Sequence, residues 1–142
     1  CIRDRSGVLA PLEAPGAGAD AIREAFEGYA SASEGWARGR GCLLCNTAVE
    51  RAALDPGARR HVDAYLARLH RAFGDALQNA QAAGNLDPAA DLEELASFFT
   101  MSLIGVAAII RAEAEPAVVQ AACRVATGVL DGHANVPIVS TG

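Results

Sequence analysis

A chain of 142 residues is long enough for one domain with a buried core, and at 51% hydrophobic residues it is too apolar for a disordered tail. Alanine is abundant and aromatics make up only 5%, which favours close-packed helices. The formal net charge of -5 argues against a segment that grips a nucleic-acid backbone by itself, and four cysteines are too few, at the wrong spacing, for a disulfide-stapled secreted domain.

The chain opens at Cys1 rather than at a methionine, as expected of a fragment or processed product with a segment missing ahead of it. No stretch resembles a signal peptide. Residues 1–17, with Gly7, Pro11, Pro15 and Gly16, read as the end of a preceding element followed by a loop. Asp20 suits the cap of a helix whose inward stripe is Ile22, Phe26 and Tyr29. Gly35, Gly39 and Gly41 then break the chain, and a short helix is expected from about Cys42 to Ala53.

Asp55-Pro56 opens the next helix, with aspartate at the cap and proline in the first turn. Val62, Tyr65, Leu66, Leu69, Phe73 and Leu77 share one face, while Arg60, Asp63, Arg71, Asp75 and Gln78 lie largely opposite. The period predicts an amphipathic helix of about seven turns, ended by Gly84.

Asp87-Pro88 repeats the start signal. Leu92, Leu95, Phe99, Leu103, Val106 and Ile110 then form one apolar stripe, and Phe98, Ser102, Gly105 and Ile109 form a second beside it. A helix apolar over most of its circumference must be covered on two sides, so the second stripe points to a partner chain. The longest mostly apolar run, Leu95 to Ile110, has 16 residues and is flanked by Glu93, Glu94 and Arg111. That is short for a membrane span, so a buried helix of a soluble cytoplasmic protein is expected. Glu115-Pro116 opens a last helix with a small-residue stripe of Val118, Ala122, Val125, Ala126 and Val129, ended by Gly132. No strand pattern or internal repeat is present. The expectation is an all-α bundle of about five helices over residues 18–132, with 133–142 as a loose tail.

Cys42 and Cys45 carry the most distinctive spacing. A structural zinc site wants four N or S ligands, and no second Cys-x-x-Cys or His-x-x-x-His pair exists in the chain. A redox pair of the thioredoxin kind needs a βαβ context. On a helix the two cysteines share a face with Val49, where small apolar side chains pack inward. Their Cβ atoms project about 60° apart from the helical period, which disfavours a disulfide between them without distortion. The alternative role is a thiol sensor at Cys42, near a helix N-terminus and Arg40. His61, His70 and His133 are scattered, so no metal site is expected. No nucleophile–base pair, phosphate loop or paired-carboxylate site is present, and no cofactor or enzymatic activity is expected.

The segments "RGCLLCNTAVE" and "AQAAGNLDP", set in this order of helices, resemble the C-terminal ligand-binding and dimerisation domain of TetR/AcrR-type transcriptional regulators. The resemblance covers residues 18–132. Members of that family carry an N-terminal helix-turn-helix domain, and no such three-helix segment precedes residue 18 in this chain; "SGVLAPLEA" would be the last piece of the helix that joins the two domains. The resemblance implies an effector pocket inside the bundle and a homodimer formed by the last two helices, with DNA contacted only through the helix-turn-helix domain and no membrane partner. The pocket is expected between the Asp20, Cys42 and Asp55 helices and one face of the Leu92 helix, lined by Phe26, Tyr29, Cys45, Val49, Tyr65, Leu69 and Met101. The dimer surface is expected at Phe98, Ser102, Gly105, Ile109, Val118, Ala122, Val125, Ala126 and Val129. The function implied is the regulatory half of a repressor released by a small, mostly apolar ligand. The alternatives are a ligand-free helical dimerisation module and, ranked below it, a small-molecule enzyme on a helical scaffold.

Overall fold

A computed structural model describes residues 9–35, Glu50 and 54–134. The helix expected from Cys42, the entry residues before Leu9 and the tail beyond Ala134 lie outside the described residues.

The first element, α1 (Leu9–Leu12), is a single turn whose two leucines are both buried. The chain then reverses through Gly16, whose φ of 76° lies in the left-handed region that glycine adopts without strain. Asn79 donates to the Ala17 carbonyl at 2.8 Å and fixes the entry into α2 (Ala19–Ala32). This helix starts one residue before Asp20. Gly18 is its N-cap, and Asp20 falls in the first turn, where its charge favours the positive helix end instead of capping it. Ile22, Ala25 and Phe26 face inward.

Asp55 caps α3 (Pro56–Ala82) as its sequence requires. Its carboxylate accepts from the amides of Gly57 and Ala58 at 2.8 and 3.3 Å, and Pro56 occupies the first helical position. The 27 residues of α3 run about 40 Å. Val62, Tyr65, Leu69, Phe73 and Leu77 are buried as the stripe predicts, joined by Ala72, Ala76 and Ala80. Gly84, at φ 78°, closes the helix: its amide donates to the Gln81 carbonyl at 3.0 Å, and Asn85 donates to the Ala80 carbonyl at 2.9 Å.

Asp87-Pro88 does not begin the next helix. The Asp87 carboxylate accepts from its own turn, at the Ala89 amide (2.8 Å), while Gln81 donates to the carbonyls of Asp87 and Pro88. That carboxylate is therefore engaged in a turn, and the helix waits for Asp91, which accepts from the Glu94 amide at 3.0 Å. The resulting α4 (Leu92–Arg111) has Glu93 and Glu94 in its first turn and Arg111 in its last, the order that suits the helix dipole. A turn with Glu113 at φ 58° leads into α5 (Pro116–Gly132).

The helices pack in two pairs. α3 lies against α4, and α2 lies against α5, with α1 bridging α2 and α3. Arg23 pairs with Asp131 at 2.7 Å, and Gln120 donates to Glu34 at 2.7 Å. These contacts join the start of α2 to the end of α5 and the end of α2 to the start of α5, so the two helices run antiparallel. Three rings fill the space between the pairs: Phe26, Phe73 and Phe99, with centroids 6.3, 5.9 and 5.7 Å apart and no exposed surface. Such contacts add to the burial energy of the rings themselves. No strand occurs among the described residues.

By length and composition α4 could cross a membrane: it has 20 residues, more than the apolar run alone suggested. Its placement is that of a core helix, because Leu95, Phe99, Leu103, Val106 and Ile110 are buried within the bundle.

Candidate effector pocket and dimer surface

The expected pocket wall divides into residues that are packed, residues at an edge and residues that point away. Phe26, itself one of the three clustered rings, and Leu69 are fully enclosed in the core. Tyr65 is buried and Tyr29 half-buried, and both carry a hydroxyl on an otherwise apolar wall, toward the end of the bundle where α2 finishes and α3 begins. Both also make polar or ring contacts within the fold. Met101 departs from the expected wall. At 59% exposure it lies on the outer side of α4, because it is placed half a turn away from Phe99 and Leu103. Cys45 and Val49, and with them the candidate thiol at Cys42, lie outside the described residues.

An open cleft of about 600 Å³ lies at the opposite end of the bundle. Gly16, Gly18, Arg23, Asn79, Leu86 and Leu130 are among the residues that line it. Nothing in the apolar periods foretold it. The cleft exists because the "PGAGA" turn has no side chains large enough to fill the gap between α2 and the ends of α3 and α5, a feature visible in the sequence only as a run of small residues.

The expected dimer surface is mostly outward. On α4, Phe98 is 39% exposed and Gly105 is exposed, with Ser102 and Ile109 half-buried. On α5, Val118 and Val125 are 58% and 74% exposed, and Ala122 and Val129 are half-buried. Ala126 is the exception. It belongs to the inward face of α5 with Val119, Cys123 and Leu130, since positions three and four apart share a face. The α4 and α5 faces are left apolar and partly open side by side. A Cβ added at Gly105 or Gly128 would meet nothing within 4 Å.

Among the described residues, titratable groups show little that resembles a reaction centre. His61 is exposed. His70 is half-buried, with Nε2 at 3.2 Å from the Ser97 hydroxyl and 3.4 Å from a Glu93 oxygen. Both neighbours meet the same ring nitrogen, so no relay through the ring is formed. Cys123 is a free, buried thiol; burial pushes its pKa up, with Arg124 opposing, which makes it a packing residue. Among the described residues, no group of three or more His, Cys, Asp and Glu side chains could hold a metal ion. Arg111, at the end of α4, pairs with Glu50 at 2.7 Å and so ties this helix to the segment that precedes α3.

The described residues form an all-α bundle with one enclosed aromatic core and a partly open apolar face on α4 and α5. The family model described as the tetracyclin repressor-like C-terminal domain matches residues 18–126, and the chain belongs to that family. The family is one of regulators rather than enzymes. A curated relative, an uncharacterized HTH-type transcriptional regulator of Bacillus subtilis (strain 168) called YezE, is 29% identical over 127 residues. The match covers 89% of this chain and 66% of that regulator, so the chain spans just under two thirds of its relative's length. No solved structure matches.

Proposed function

We propose that this domain is the effector-binding and dimerisation part of a TetR-type transcriptional regulator that works in the cytoplasm as a homodimer. The regulator acts as a repressor and reaches DNA through a helix-turn-helix domain outside this chain. The observation that carries the reading is the family match over residues 18–126; the open apolar face of α4 and α5 supports the dimer. A small, mostly apolar effector enters near Tyr29 and Tyr65, beyond the closed ring cluster, and biases the dimer toward a geometry that fits DNA poorly. Such coupling requires the ligand to bind the two geometries with different affinity.

The test uses the full-length regulator with its operator DNA. A panel of apolar small molecules is screened by thermal shift. A ligand at a hundred times its Kd should stabilise the fold by about 2.7 kcal/mol, a rise on the order of 5–10 °C in Tm. The same ligand should lower operator affinity. A ligand that stabilises the fold without changing operator affinity would remove the repressor reading.

A second reading, a dimerisation module without a ligand, is favoured by one observation: Phe26, Leu69, Phe73 and Phe99 have almost no exposed surface at the centre of the described bundle. A panel in which nothing shifts Tm while the dimer persists would select it.

A further inference from the structure

We draw no further inference here: the strongest candidate, the cleft between the first turn of α2 and the C-terminal ends of α3 and α5, carries nothing, because beyond the helix start the one cation that lines it among the described residues, Arg23, is already paired with Asp131 and the unbonded Nη1 of that guanidinium is sealed from solvent and out of a ligand's reach.

Discussion

Phe98 and Phe99 are chemically identical neighbours about 100° apart around α4, and that angle separates two kinds of surface. Phe99 has no exposed area and touches Phe26 and Phe73 at the centre of the bundle. Phe98 leans edge-on against Phe99 at 5.2 Å and keeps 39% of its surface exposed. The inner face, with Leu95, Leu103, Val106 and Ile110, is satisfied within the chain. The outer face, with Met101, Gly105 and Ile109 beside Val118 and Val125 of α5, is nearly as apolar and remains partly open. Exposed large apolar side chains on two neighbouring helices are the kind of surface that an association site uses. The two faces therefore make different claims: the inner one sets the stability of the chain, and the outer one, in the proposed dimer, sets how that stability depends on concentration.

Truncation of each ring separates the claims most sharply. Phe99→Ala should cost about 3–5 kcal/mol, because it empties the centre of the ring cluster. For a domain of this size that is much of the total stability. Phe98→Ala should cost less than about 1 kcal/mol in the isolated chain, since part of the ring is already solvated, and should weaken association instead. Urea unfolding at low and high protein concentration reads both effects. Similar losses from the two variants, independent of concentration, would erase the distinction between the faces.

Gly105→Arg tests the outer face alone. The position opens onto free space, so the arginine fits the monomer, and the loss of a mid-helix glycine stabilises α4 by up to about 1 kcal/mol. A charge in the proposed seam should nevertheless give monomers or aggregates where the unaltered chain is a dimer. Light scattering at micromolar concentration measures this. An unaltered chain that is already monomeric would sink the dimer proposal.

The same contrast governs how much the sequence could tell. Periods were legible where large side chains carry them: the α3 stripe from Val62 to Leu77 and the inner stripe of α4 are buried as read, except that Leu66 and Leu92 are only half-buried. They were incomplete where alanine does the packing, because Ala72, Ala76 and Ala80 look neutral in a hydrophobic pattern yet sit in the core. Cap signals were legible one at a time but not in competition. Asp55 caps α3, whereas Asp87-Pro88, with the same residue types, makes a turn because Gln81 and the Ala89 amide occupy it and Asp91 is available four residues later. Which edge of a stripe turns inward was also not local information. Ala126 and Met101 lie near stripe boundaries, and only the position of neighbouring helices decides their side. The cleft beside Gly16 and Gly18 depends on missing volume, which a pattern of residues present does not register.

The turn between α4 and α5 keeps their outer faces side by side, and it contains a correctable strain. Glu113 is the one residue other than glycine with positive φ among the described residues, at 58°. The bonds around it, from Glu113 to the Ile110 carbonyl and from Ala114 to the Ile109 carbonyl, both at 3.1 Å, repeat the closure that Gly84 makes for α3. A side chain in this conformation is disfavoured by about 1 kcal/mol. Glu113→Gly should raise stability by about 0.5–1 kcal/mol, and Gly84→Ala should lower it by a similar amount. Urea midpoints that move in the same direction for both variants would contradict the paired geometry.

The smallest effect belongs to a contact made wholly within one chain. Arg68 of α3 donates through Nε and Nη2 to the two carboxylate oxygens of Glu13, at 2.5 and 2.6 Å, and so pins the end of α1 to the bundle. The hydrogen bond from Arg68 holds the Glu13 carboxyl below its ordinary value; partial burial opposes this, and the Arg68 charge adds to it. A carboxyl depressed in the folded state contributes stability that is fully present above its unfolded value, about 4.3, and is lost as pH falls through the lower folded value. Both partners are more than a third solvated, so the contribution is a few tenths of a kcal/mol, up to about 1 kcal/mol for a fork of this geometry. Glu13→Gln should therefore lower the urea midpoint at pH 7, and the difference from the unaltered chain should close as pH falls below 4. Because the pair lies away from the outer faces of α4 and α5, this difference should be the same at every protein concentration, unlike the effect of Phe98→Ala. A gap that stays constant with pH would mean that Glu13 acts through packing and not through its charge.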